Sequence, residues 1–222
     1  MAVDSVVDAR PSRADLASDL WAERRSVRDT LAAVVGSRSA QEEIADRSYW
    51  HQNGFMKVVM KERSSYGQLR LHIWPQVVDD DDIHGHSWHY ASVVLGGELK
   101  EVEYRESHSG EGELMWRHCF GQTGHRSFEL GDSELVRLQR MRERLLTPGT
   151  AAGGSWKKVH RFYAVQAPAA TMLRVGPLMA RHSNVYRVNR DRPQAVTPRP
   201  TTRADVAEWL AVVGEMVAAA GG

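Results

Sequence analysis

The feature that most constrains this chain is a series of short β-branched and aromatic runs between residues 55 and 178, each closed by turn residues. FMKVVMKE, QLRLHIW and HYASVVL come first, set apart by Ser64-Ser65-Tyr66-Gly67, by the stretch from Pro75 to Gly85, and by Gly96-Gly97. ELKEVEYRE and ELMWRHCFG follow, joined by the polar SHSGEG loop. Beyond Pro148-Gly149 come WKKVHRFYAV and TMLRVGP. Runs of this length, bounded by Gly, Pro, Ser and Asp, read as strands. A chain with at least six of them in series is predicted to form an all-β core, a barrel or a sandwich.

Helices are expected around that core. Residues 12–48 carry Leu16, Leu20, Val27, Leu31 and Val34 at three-, four- and seven-residue steps, which is one stripe of a helix. Asp15 and Asp19 precede Arg24, Arg25 and Arg28, an order that suits the helix dipole. Gly36-Ser37-Arg38-Ser39 breaks the run, and Ser39-Ala40-Gln41-Glu42 has the form of a capping box opening a second, shorter helix. Residues 132–146 (DSELVRLQRMRERLL) read as a helical insertion in the β region, capped by Asp132 or Ser133. An irregular Pro- and Arg-rich tail leads to a last helix at 202–219. Thr202 and Asp205 cap it, and Val206, Leu210, Val213 and Met216 share one side.

With 222 residues the chain is expected to form a single domain over 1–222, helical at 12–48 and 202–219 and barrel-like at 55–178. A net charge of +1 gives no reason to expect nucleic acid or an anionic membrane as partner, and no stretch approaches the roughly 20 apolar residues of a membrane helix. The start, MAVDSVVDARPSRADL, lacks the basic-then-apolar order of a secretory signal. Cys119 stands alone, which excludes an internal disulfide and fits a cytoplasmic protein, a monomer or homodimer. The acidic run Asp79 to Asp82 lacks the glycine and spacing of a calcium loop and reads as a solvated turn.

The segment IHGHSWHY carries the chemistry. Strand residues two apart point to the same side, so His84 and His86 present two imidazoles to one point, as a nitrogen-bound metal requires. His89 has the opposite parity and reads as structural or supporting. His160 sits alone in a later strand and is the candidate third ligand. The competing reading is a polar pair at a turn plus a core histidine. Tyr90 has the parity of His84 and His86 and is a candidate pocket residue. His51, His108, His118, His125 and His182 carry no spacing signal and are expected at the surface.

The order HxH, apolar strand, Gly, Pro-Gly loop and a single His in a strand resembles the cupin superfamily, over residues 55–178. Within it, LRLHIW followed by IHGHSWHYASVVLGGELKE, and then KVHRFYAV, is most similar to the cysteine dioxygenase-like thiol dioxygenases. The resemblance implies a cupin jelly-roll barrel with flanking helices and a three-histidine site of His84, His86 and His160. The ligating Glu of the common cupin pattern is absent, since Tyr90 and Ala91 stand in its neighbourhood. It also implies Fe(II), although imidazole ligands suit other divalent metals equally.

Carried over position by position, the family's carboxylate-pairing arginine falls on Lys57, while Arg70, His72 and Trp74 share the face that lines its pocket. Arg174 is a second candidate anchor, although Leu173 and Val175 look the better core-facing neighbours. His72 is a candidate proton carrier, against the alternative of a satisfied strand histidine. The family's Cys–Tyr cross-link is expected to be missing, because Cys119 lies far from Tyr90. Its Ser-His-Tyr relay is replaced by Thr171, Leu173 and Val175, which argues against cysteine as substrate.

Three functions from different classes follow. The first is a non-haem iron oxygenase using O2 on a small polar substrate such as a thiol or amino acid. The second is a metal-dependent isomerase, lyase or cyclase without O2, and the third a non-catalytic small-molecule-binding cupin.

Overall fold

The computed structural model describes residues 12–63, 67–78, 82–123, 126–129, 133–190 and 198–220. The apolar stripe at the start becomes α1 (Arg13–Val35), and Leu16, Leu20, Val27 and Leu31 are all buried. Its capping box is reciprocal: the Asp15 amide donates to Ser12 Oγ at 3.2 Å and the Ser12 amide to Asp15 Oδ2 at 2.7 Å. The second helix, α2 (Arg38–Arg47), starts earlier than expected. Its cap is Ser37, whose Oγ accepts the Ala40 amide at 3.3 Å, and not Ser39. At the other end α3 (Arg203–Ala220) is capped by Thr202 and Asp205 as expected and buries Val206, Leu210 and Val213.

Between the helices run β1 (Tyr49–Trp50), β2 (Met56–Arg63), β3 (Gly67–Trp74), β4 (Ile83–His84), β5 (Trp88–Ser107) and β6 (Glu113–Thr123). They are followed by β7 (Arg126–Glu129), β8 (Glu134–Leu146), β9 (Ala151–Gly154), β10 (Val159–Leu178), β11 (His182–Arg187) and β12 (Arg199–Pro200). The expected all-β core, a closed ring of strands with flanking helices, is what the chain adopts. Strand order is β12-β1-β2-β3-β10-β4-β11-β6-β8-β5-β9, and a further β10–β5 pairing closes β10, β4, β11, β6, β8 and β5 into a ring. No helix among the described residues is long and apolar enough to cross a membrane.

Several sequence expectations need correction. Residues 134–146 form strand β8 and not a helix. The candidate cap Asp132 lies outside the described residues. The helix-like charge spacing is used across strands instead: Arg144 pairs with Glu101, Arg117 with Glu134, and Lys100 with Glu143. β8 also occupies the gap between β6 and β5, whose main-chain groups would otherwise stand at open edges. The tail is not wholly irregular, since it supplies β11 and β12. Asp79, Asp80, Asp81, His125 and residues 191–197 lie outside the described residues. Finally, Gly96-Gly97 and Pro168 interrupt no strand. β5 and β10 each run for 20 residues and pair along most of their length, with register shifts near these points. Gly97 has φ +70° and a Cβ there would stand 2.5 Å from the Pro168 carbonyl oxygen, so the approach of the two long strands requires glycine.

Strand parity then separates two environments. Leu69, Leu71 and Ile73 of β3, Met56 and Val58 of β2, Ala91, Val93 and Leu95 of β5, and Met172 of β10 pack with the buried stripes of the helices into one core. The alternate residues of the same strands face away from the helices and line a cavity of about 220 Å³.

Candidate metal centre

Three histidines stand on one wall of that cavity. In the β4–β10 register His84 lies opposite His160, and His86 follows two residues beyond the end of β4. Their ring centroids form a nearly equilateral triangle, 5.0 Å for His84–His86, 5.1 Å for His84–His160 and 5.0 Å for His86–His160. One nitrogen from each falls within 4.8 Å of the others. His86 Nε2 and His160 Nε2 are 2.9 Å apart, a separation two ligands adopt when each sits about 2.1 Å from one ion.

The outer nitrogens are fixed. His84 Nδ1 donates to the Asp82 carbonyl at 3.1 Å. His160 Nδ1 donates to Glu101 Oε1 at 2.8 Å, which leaves the His160 Nε2 lone pair directed at the other rings. Glu101 is 0% exposed and also receives Lys158 Nζ at 2.7 Å and the Arg144 guanidinium. Burial by itself would raise its carboxyl, but the hydrogen bond from His160 and the hydrogen bond and charge of Lys158 outweigh it and hold the group well below the usual range. The Tyr90 hydroxyl lies 3.2 Å from His160 Nδ1, with its ring edge-on to His86 at 4.8 Å.

Burial first, then the neighbouring histidines, keep His86 well below its ordinary 6.5. Burial likewise lowers His160 to about 4, although Glu101 pulls the other way. Both are therefore neutral near pH 7, as metal ligands must be. A histidine whose native value lies below its unfolded one contributes stability that is complete above 6.5 and is lost as pH falls through the native value. In chelator-treated protein the unfolding free energy is therefore expected to drop between pH 7 and 4, by on the order of 3 kcal/mol from His160 alone. Denaturant titrations across that range check this; a flat profile would refute it.

Of the other expected site residues, Lys57, Arg70, His72, Trp74 and Tyr90 all line the cavity. Lys57 Nζ donates to the Tyr49 hydroxyl at 2.7 Å. Arg70 donates to Gln68 Oε1 at 2.5 Å and lies over the Trp88 ring at 5.1 Å. His72 is held neutral by burial and then by Arg70 and Lys57, and its buried Nε2 has no hydrogen-bond partner among the described residues. Arg174 is the exception. Its parity in β10 is that of Met172, so it points beneath α1, fully buried, 3.5 Å from Asp19, while Thr171 and Leu173 face the cavity. It does not contact the site. His89 shares the parity of Ala91, and the cavity wall there comes from Trp88 and Tyr90.

Two surface expectations also fail. His51 lines the cavity, stacked on Phe55 at 4.5 Å and lowered to about 3 by burial and by the nearby His84 and Lys57. His118 is 0% exposed, whereas His108 and His182 are exposed. Glu101, Tyr49, Phe162 and the Asp82–Arg187 pair carried no sequence signal for a site role, although Glu101 ends the GELKE segment that carries the family resemblance.

The sequence matches no protein-family profile and no curated protein. In strand layout the chain is similar to hydroquinone 1,2-dioxygenase from Sphingomonas sp. TTNP3, at 14% identity and TM-score 0.36, covering 55% of this chain and 65% of that one. It is also similar to hydroxypropylphosphonic acid epoxidase from S. wedmorenis, at 14% identity and TM-score 0.37, covering 59% and 54%. A third likeness is to Drosophila melanogaster CENP-C bound to CAL1, at 8% identity and TM-score 0.34, covering 72% and 98%. The chain thus spans less than two thirds of the length of both enzymes. Strand layout shared with two enzymes and a protein complex chooses no function, and the site stands on its own three imidazoles.

Proposed function

We propose that this protein is a mononuclear metal-dependent oxygenase of the cupin class, with Fe(II) held by His84, His86 and His160 and a small polar molecule and O2 as substrates. One observation carries the reading: three imidazoles converge on the wall of a cavity, with the outer nitrogens of His84 and His160 already committed to Asp82 and Glu101. When bound, the ion supplies Lewis acidity and coordination positions that hold O2 and substrate together.

The chain's own residues supply the rest. Phe162 and Trp74, with centroids 5.8 Å apart, exclude water from the metal side of the cavity, which strengthens each polar contact within it. Lys57 and Arg70 offer cationic donors to the substrate's polar end. Tyr90 holds a hydroxyl beside the triad. The neutral His72, whose Nε2 has no hydrogen-bond partner among the described residues, can accept a proton from a bound substrate. That last feature also favours a second reading, a metal-dependent isomerase or lyase that moves a proton and uses no O2.

Elemental analysis of protein purified without added metal, with O2 uptake measured against a panel of small thiols and acids, tests the proposal. About one equivalent of iron and substrate-dependent O2 uptake are expected. Metal without O2 uptake for any substrate turned over would select the second reading. No metal after anaerobic reconstitution would overturn both.

A further inference from the structure

The cavity carries an excess of positive charge at one place. Lys57 and His72 are directly opposed in the β2–β3 register, and Arg70 lies two residues before His72 on the same face. The two cations are thus diagonal neighbours, a spacing of roughly 7–8 Å at the backbone and within reach of long side chains. Neither forms an ion pair with a described carboxylate. The described acid on the cavity wall, Asp82, is engaged by Arg187 through two contacts of 2.9 and 3.0 Å. Lys57 spends one of its three donors on Tyr49, and Arg70 one of its five on Gln68. Burial, and for Lys57 also the facing Arg70 charge, lowers Lys57 well below its ordinary value and Arg70 to about 10.

Two buried like charges with donors to spare are unfavourable alone and are relieved by one bridging anion. Beside Tyr49, His51 and His72, the nearby wall carries a flat aromatic face. Phe55 lies against Trp74 at 5.2 Å, and Trp74 against Phe162 at 5.8 Å. A volume of about 220 Å³ is below the range of drug-sized sites, so the ligand is small. The same wall offers no uncommitted carboxylate among the described residues to receive an ammonium group, which sets an amino acid at a disadvantage.

Deepening the reading of this cavity as a substrate site, we propose that its ligand is a small organic acid with a flat, unsaturated body and no amino group, its carboxylate bridging Lys57 and Arg70. The acid site belongs to β2 and β3, apart from the β4 and β10 ligands, so it can be tested without metal. Benzoate, phenylacetate and propionate would be titrated calorimetrically into chelator-treated and iron-loaded protein, each beside its amide and its amine, with metal content measured in parallel.

The aryl acids are expected to bind chelated protein at least about tenfold more tightly than their amides, and the amines not measurably. Lys57→Met and Arg70→Met should each weaken acid binding about 30-fold while leaving amide binding unchanged. If no acid exceeds its amide, or if both variants bind acids as the parent does, the proposal is wrong. Acid preference in a protein that takes up no iron would keep this inference and remove the metal-centre reading. Stoichiometric iron without acid preference would do the reverse.

Discussion

His160→Ala is expected to purify with less than about a tenth of an equivalent of metal, and to recover none on anaerobic reconstitution. His160 closes the triangle: it faces His84 across the β4–β10 register, and its Nε2 lies 2.9 Å from that of His86. Without it two imidazoles remain, both near the β4 end, and the nitrogen held by a buried carboxylate is gone. The fold should survive, because Glu101 keeps Lys158 and Arg144 as partners. A circular-dichroism melt close to the parent's would therefore separate loss of a ligand from loss of structure. His89→Ala is the control, since its parity puts it off the cavity wall. Full metal content in His160→Ala would end the three-histidine assignment.

The convergence of His84 and His86 was legible because strand parity acts locally. His84 and His86 are two apart, and that spacing alone sets their common side once a strand or extended turn is granted. The same rule placed Arg70, His72 and Trp74 on one face, and it weighed against Arg174. What stayed hidden depends on register between distant strands. Glu101 reaches His160 only because β5 and β10 pair so that Phe162 faces Glu101 and His160 faces Glu103. No pattern inside GELKE says so. His51 was misplaced for a similar reason: it follows the two-residue β1 and enters the cavity through its stack on Phe55. The β8 segment failed differently. Its apolar and charged residues recur at helical steps, but ring closure between β5 and β6, and the Glu101 carboxylate that receives Arg144, overrode that local preference.

Glu101→Leu tests the second layer of the site and should have two separable effects. The carboxylate is fully buried and holds Lys158, Arg144 and His160 at once, so removing it leaves Glu103, 2.8 Å from Lys158 and 3.8 Å from Arg144, to hold both cations. With Glu103 still pairing both cations, the loss of the buried hydrogen bonds is expected to destabilise the protein by about 1–3 kcal/mol, read as a fall in denaturant midpoint. It also frees the His160 ring to rotate and to move its proton to Nε2, which should weaken metal binding by about 10–100-fold in chelator competition. Glu101→Gln can still accept the His160 hydrogen bond but carries no charge. It should therefore recover most of the metal affinity and little of the stability. The two losses must respond differently to a second change. With His160 already replaced by alanine, Glu101→Leu should still lower the midpoint but have no metal effect left to exert. Equal stability of Glu101→Leu and the parent would show that Lys158 and Arg144 find other partners. Unchanged metal affinity would show that the ring of His160 is held by Tyr90 and packing, and not by the carboxylate.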